Sequence, residues 1–322
     1  MTLFETKGLA IGYSEDKILQ KDINISLQQG QIITLMGQNG VGKTTFLKTI
    51  SKLIPKLNGN VFYKGISLDE INSQDLSTRL SLVLTERPAA GNLTVAELIA
   101  TGRHPYSNWL GMLTTRDREM IEWAMTETRI NYLTDKKLVQ LSDGQLQKVM
   151  IARALAQETD MIFLDEPTAH LDLHNKIEIM LLLQRIARQG KGILISTHDL
   201  QISLQLSDKM WLFNFNEPVT EGIPEDLVLS GAIQKTLFLE EYDYDFITGR
   251  FKGEADQHNL KVMLEGDTDS VYWASHALAR HGIVIDDSAK TKIKSLNGSW
   301  VVSTNSTSLT FDSLQDLIQS LL

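Results

Sequence analysis

The sequence predicts an α/β fold: a mostly parallel β-sheet covered by helices on both faces, an antiparallel β subdomain beside it, and a small α+β unit at the C-terminal end. Runs that are apolar throughout, at residues 32–36, 161–164 and 192–196, read as strands buried on both faces. Segments of helical spacing, residues 43–53 and 171–189, alternate with them, the order expected of strand–helix–strand units. The pattern changes near residue 240, where the acidic run Glu240-Glu241-Tyr242-Asp243-Tyr244-Asp245 reads as a connector.

Taken in chain order, Ile23, Ile25 and Leu27 alternate with Asp22, Asn24, Ser26 and Gln28, the pattern of one half-exposed strand in an antiparallel subsheet. The strand at 32–36 runs into a glycine-rich turn and then into the helix expected at 43–53. A further helix is expected to begin at Ser142 as N-cap, burying Leu146, Val149, Met150 and Ala154. Residues 93–106 read as an amphipathic helix ended by Gly102 and Pro105. Beyond the connector, residues 260–264 predict a strand and 270–280 a helix with Trp273, Ala277 and Leu278 on its packed face. Residues 282–285 predict another strand, 292–302 a hairpin turning at Asn297-Gly298, and 313–322 a closing helix. His276 and His281 read as surface or cap residues rather than metal ligands. The expected division is 1–240 and 241–322.

A chain of 322 residues has room for about two domains. Lys+Arg of 31 against Asp+Glu of 40 gives a net charge of -9, which argues against a protein that grips nucleic acid or an anionic membrane. The absence of cysteine excludes a disulfide framework, a zinc ribbon and thiol catalysis. The first residues lack the basic start and long apolar run of a secretory signal. The oiliest window, residues 177–187, is interrupted by Glu178, Gln184 and Arg185, too polar to cross a bilayer. The expectation is a cytosolic-type protein.

The chemistry begins at Gly37-Gln38-Asn39-Gly40-Val41-Gly42-Lys43-Thr44, which matches G-x-x-x-x-G-K-[ST] between a strand and a helix. Glycines let the backbone wrap a polyphosphate so that successive N–H groups and a helix N-terminus point at it. Lys43 then places a charge on the β- and γ-phosphates, and the Thr44 hydroxyl is placed to ligate Mg²⁺. The partner acid expected at the end of a buried strand is Asp165, a second metal-binding candidate. Glu166 follows it, placed to polarise an attacking water, although two acids at a strand end also occur in solvated loops and helix caps. His198 ends a neighbouring parallel strand, where ligands gather in such sheets.

Between these motifs stand Leu141-Ser142-Asp143-Gly144-Gln145 and, starting seven positions after Gln145, Ala152-Arg153-Ala154-Leu155. L-S-x-G-Q followed by A-R-A-L resembles the signature of ABC-type ATPases, and the order of motifs through Leu171-Asp172 and His198 is similar to that family over about residues 1–225. The resemblance implies an ATPase using ATP and Mg²⁺, with a helical subdomain at about 86–155. It implies nucleotide contacts from Tyr13, Gly37 through Lys43, Thr44 and Thr45, with Tyr13 stacking on adenine. Ser142, Gly144 and Gln145 would contact the γ-phosphate held by a second copy, so that a homodimer sandwiches two ATP molecules. Asp172 would lie at that interface, Glu166 would be the catalytic carboxylate, and His198 would sense the γ-phosphate. Where the family usually has a glutamine that links magnesium to the membrane partner, this chain has Thr85-Glu86. Thr85 is the aligned choice for contact with the metal, with Glu86 one residue away.

The stretch Leu93-Thr94-Val95-Ala96-Glu97-Leu98, continuing to Gly102-Arg103-His104-Pro105-Tyr106, resembles that of importer ATPases for iron–siderophore, haem and cobalamin complexes. This implies the ATP-hydrolysing subunit of an importer, peripheral on the cytoplasmic face of the cell membrane. It would power a separate transmembrane permease, serve a substrate-binding protein indirectly and bind no nucleic acid. The rival reading is a soluble ABC ATPase acting on ribosomes or nucleic acid; one phosphate loop and no Lys/Arg run weigh against it. Residues 241–322 would be an extension beyond the catalytic core, either a regulatory domain or a passive docking module.

Overall fold

The computed structural model describes residues 1–85, 92–106, 112–237, 239, 244–245, 250–251, 260–296, 298–304 and 307–322. The chain divides into two units, Met1–Phe238 and Leu239–Leu322.

In the first unit, strand β1 (Thr2–Ser14) pairs antiparallel with β2 (Lys17–Ile23) through its second half and with β3 (Ser26–Gln28) through its first. The single strand expected across 22–28 is therefore two. Asp22 takes a left-handed φ of 54°, and the Asn24 side chain accepts from Gly8 N and donates to the Asp22 carbonyl, which breaks the ladder. The apolar alternation still holds, because Ile23, Ile25 and Leu27 are all buried.

Strand β4 (Ile32–Gly37) is buried along its whole length and feeds helix α1 (Lys43–Ile50). The helix stops earlier than the spacing suggests, since Lys52 is left-handed at φ 59° and Leu53 is exposed. Strands β5 (Asn58–Tyr63) and β6 (Ile66–Ser67) complete an antiparallel sheet of order β2-β1-β5-β6. Helix α2 (Ser73–Ser77), capped by Asn72, leads to β7 (Leu80–Val83). The expected start of a helical part at residue 86, and Glu86 itself, lie outside the described residues.

Helix α3 (Val95–Ala100) opens with a Thr94–Glu97 capping box. It continues as a 3-10 turn, Thr101–Tyr106, so Gly102 and Pro105 redirect the helix rather than end it. Helices α4 (Thr115–Glu127) and α5 (Asp143–Ala156) pack beside it. The remainder alternates as the sequence suggests: β8 (Met161–Asp165), α6 (Leu173–Arg188), β9 (Gly192–Ser196), α7 (Leu200–Leu206) and β10 (Lys209–Phe213). Strand β11 (Thr220–Gly222) and helices α8 (Pro224–Leu229) and α9 (Ala232–Thr236) follow. The second sheet runs β11-β10-β4-β9-β8-β7, parallel except for β11.

An aromatic core fills the space between the two sheets, with Phe4 edge-on to Phe46 and Phe163 and Phe46 edge-on to Phe213. The opposite face of the parallel sheet packs against α5 and α6. Among the described residues no helix is long and apolar enough to cross a membrane.

The second unit contains β12 (Tyr244–Asp245) paired with β13 (Arg250–Phe251). It continues as β14 (Lys261–Glu265), α10 (Thr268–Arg280), β15 (Val284–Ile285), β16 (Thr291–Leu296), β17 (Ser299–Ser303), β18 (Ser308–Phe311) and α11 (Leu314–Leu321). The sheet order is β15-β14-β16-β17-β18. Leu296 pairs with Ser299 around a two-residue turn in which Gly298 has φ 87°; Asn297 lies outside the described residues, as do Glu240 to Asp243 of the expected connector. The packed face of α10 differs from the expected one at Trp273. Ala274, Ala277 and Leu278 are buried, whereas Trp273 is 64 % exposed, edge-on to Tyr272 and over His276. His281 caps the C-terminus of α10, and no metal-binding cluster of His, Asp or Glu exists among the described residues.

The turn after α3 is held by a buried cation. Arg103 donates from Nε to Asp117 (2.8 Å) and from Nη1 to the Ala156 carbonyl (2.7 Å) and Glu158 (3.2 Å). Both Arg103 and Asp117 side chains are 3 % exposed. Removing one member of such a pair strands the other charge. Arg103→Ala is therefore expected to cost about 3 kcal/mol, read as a lower urea midpoint for the first unit.

Candidate functional site

The phosphate loop joins the buried end of β4 to α1. Gly37 is at φ 153°, and a Cβ there would lie 2.4 Å from the Phe213 carbonyl, so only glycine fits. Gly42, at φ 112°, turns the chain into α1, whose first residues Lys43, Thr44 and Thr45 follow. The Val41 side chain is anchored in the core, while Gln38, Asn39 and Gly40 line the outside of the turn. Buried Gln20 ties the loop from behind, donating to the Asn214 carbonyl at 2.7 Å and the Val41 carbonyl at 3.3 Å. The sequence gives no signal for that residue. Lys43 Nζ donates to the Gly37 carbonyl (2.9 Å) and the Gln38 carbonyl (3.2 Å), placing its ammonium inside the curl of the loop. Burial lowers its pKa, opposed by the charges of Glu166 and Asp165.

Asp165 stands at the end of β8 opposite Ser196 of β9. Its carboxylate accepts from Thr44 Oγ1 at 2.9 Å and 3.2 Å and from the Ser196 hydroxyl. Thr44 and Asp165 thus face each other with oxygen donors only, the set that a small hard dication takes when phosphates supply other ligands. Thr85 is also at this strand end, but its hydroxyl donates to the Asp165 backbone carbonyl at 2.9 Å. That bond makes Thr85 a brace for the strand end.

Glu166 has a left-handed backbone, φ 49°, pinned by its N–H on the Ser196 carbonyl and by Ala169 N–H on its own carbonyl. Its Oε1 is buried without a hydrogen bond, although His198 Nε2 lies 3.1 Å away. Burial pushes the Glu166 carboxyl up to about 7; Lys43 opposes the rise and Asp165 adds to it. Burial and then the Lys43 charge lower the His198 pKa, against the pull of Asp165. A carboxyl poised near neutrality beside a loop built for phosphates can take a proton from a water.

Ser142, Gly144, Gln145 and Asp172 form a second cluster. Ser142 caps α5 in a reciprocal box with Gln145. Asp172 caps α6 by accepting from Asn175 N–H at 2.8 Å. Gly144 packs against the Asn175 side chain. Among the described residues the hydrogen bonds of this cluster run within it, not to the phosphate loop. Tyr13 is 68 % exposed near the end of β1, with Lys17 Nζ 5.0 Å from its ring centre, leaving a face for a flat ligand.

Residues 20–169 match the family model described as ABC transporter, and residues 259–322 match the model described as iron ABC transporter C-terminal domain. The chain is 36% identical over 249 residues to the iron(3+)-hydroxamate import ATP-binding protein FhuC of Bacillus subtilis, covering 77% of this chain and 91% of that one. It is 34% identical over 239 residues to the achromobactin transport ATP-binding protein CbrD of Dickeya dadantii, covering 74% and 88%. A crystal structure of a nucleotide-free ATP-binding cassette from an ABC transporter superposes with TM-score 0.66 at 22% identity, covering 74% of this chain and 98% of that one.

The Lys43 ammonium makes charge-assisted bonds that a methyl cannot replace. Lys43→Ala is expected to weaken ATP binding by about tenfold or more in calorimetry.

Proposed function

The chain belongs to the ABC transporter family of ATP-binding subunits, and we propose that two copies close on two Mg-ATP molecules to drive a permease importing iron–siderophore or related metal chelates. One observation supports this above the others. The phosphate loop with Glu166 and the anion-seeking tip of α5 are separate clusters, each half of a nucleotide site. A second copy supplies the missing half in trans, with Asp172 at the seam. The cargo rests on the match of residues 259–322 and on relatives named for hydroxamate and achromobactin transport. Residues 1–240 act as the nucleotide-binding domain and 241–322 as an extension.

The loop amides and Lys43 grip the β- and γ-phosphates, Thr45 follows on α1, and adenine stacks on Tyr13. Thr44 and Asp165 would hold Mg²⁺, which would supply positive charge to the phosphates. Glu166 accepts a proton from the water that attacks in line, and His198 donates to the γ-phosphate. Affinity for nucleotide that is greater in the closed pair is what allows binding to do mechanical work.

The permease seat is a groove of about 510 Å³ lined by Leu53, Leu76, Leu82, Leu84, Met150 and Arg153. Its mixture of apolar walls and a cation suits an amphipathic helix of a membrane partner. Docking there places the chain at the cytoplasmic face of the cell membrane, with a binding protein reached only through the permease.

Glu166→Gln is expected to lower hydrolysis by about a hundredfold while leaving ATP affinity unchanged; near-normal turnover would place the base elsewhere. Because the folded carboxyl binds its proton up to about 7 and the unfolded one only to 4.5, Glu166 costs stability as pH rises through that window. The wild-type kcat/KM should rise with pH around 7, and Glu166→Gln should melt higher than wild type at pH 8 but not at pH 4. Tagged chain co-expressed with its permease should co-purify with that polytopic protein, and Arg153→Glu should reduce the yield.

A further inference from the structure

Asn175 lies one turn into α6 and belongs to none of the motifs above. Its side-chain Nδ2 donates to both carboxylate oxygens of Asp172, at 3.1 Å and 3.0 Å. The cap of α6 does not need these bonds, because the backbone N–H of Asn175 already reaches Asp172 at 2.8 Å. The same amide lies directly over Gly144: a Cβ on that glycine would be 2.5 Å from Asn175 Cγ and 2.6 Å from its Oδ1. One turn further along, Lys148 of α5 pairs with Glu178 of α6, so the two helices are tied side by side at their N-terminal ends.

We propose that Asn175 is a positioning residue that fastens Asp172 to the Ser142–Gly144 tip, so that both meet the nucleotide of the second copy as one rigid piece. This rests on the two-copy reading. The side chain suits the task. Its amide offers two donors to a carboxylate that would otherwise rotate, and its flat face fits the space left by a residue without Cβ. An aspartate would keep the shape but set two carboxylates against each other. Nothing in the phosphate loop of the same chain depends on Asn175, so its loss should damage what the chain offers its partner and spare what it does for its own nucleotide.

The test uses full-length Glu166→Gln chain with Mg-ATP, comparing Asn175→Ala and Asn175→Asp by sedimentation, with ATP affinity measured on dilute monomer. Both variants are expected to raise the dimer dissociation constant by about tenfold while ATP affinity and melting temperature stay unchanged. In the wild-type background, kcat should fall and the Hill coefficient for ATP should drop toward one. If Asn175→Asp dimerises like its parent, the hydrogen bonds to Asp172 carry nothing and the inference is overturned alone. If Glu166→Gln itself stays monomeric at saturating Mg-ATP, the two-copy reading falls and takes the inference with it.

Discussion

Asp165 is the point through which the rest of the catalytic end is arranged. Its carboxylate binds hydroxyls from α1 and β9, and its backbone carbonyl takes the Thr85 hydroxyl from the chain following β7. Three elements that are remote in sequence are thereby fixed around one strand end. A group at the carboxyl end of the fully buried β8 can be held this tightly because the sheet beneath it is covered on both faces. Thr44 at the start of α1 and Ser196 at the end of β9 are both tied to it. Weakening that hub would loosen the site without unfolding the sheet.

Burial then sets the chemistry. The same desolvation that lifts the Glu166 carboxyl to about 7 lowers the Lys43 ammonium, and each charge partly offsets the other's shift. A phosphate entering the loop pairs with Lys43 and removes its support for the Glu166 anion, so substrate binding itself makes Glu166 a stronger base. The left-handed backbone of Glu166 is held by the Ser196 carbonyl, whereas the Asp165 carboxylate is held by the Thr44 and Ser196 hydroxyls. Two adjacent acids therefore occupy different environments, which is how neighbouring carboxylates come to differ in role.

Much of this was legible in the sequence where function is written in local backbone. The loop glycines, the Ser142 cap and the acids after an apolar strand each follow from spacing within a few residues, and the structure places them accordingly. Burial on both faces is equally legible as an unbroken apolar run, as in β4 and β8. What was hidden depends on tertiary neighbours. Gln20, Ser196 and Asn175 carry no pattern of their own, and each touches a residue tens of positions away: Val41, Asp165 and Gly144. Thr85, the position aligned for contact with the metal, also gives its hydroxyl proton to the Asp165 carbonyl, a bond that alignment does not disclose. The break at Asp22 and the exposed Trp273 share another cause: apolar alternation reports burial, and neither a left-handed residue nor an aromatic left on an outer face violates it strongly.

The central claim is that the α5 tip of one copy closes on the phosphate loop of another. The chain contains no cysteine, so introduced thiols report only their own proximity. Asn39→Cys chain mixed with Ser142→Cys chain under mild oxidation should give a cross-linked heterodimer when Mg-ATP is present and little without it. Absence of that cross-link at saturating Mg-ATP, in a Glu166→Gln background with both proteins folded, would contradict the account.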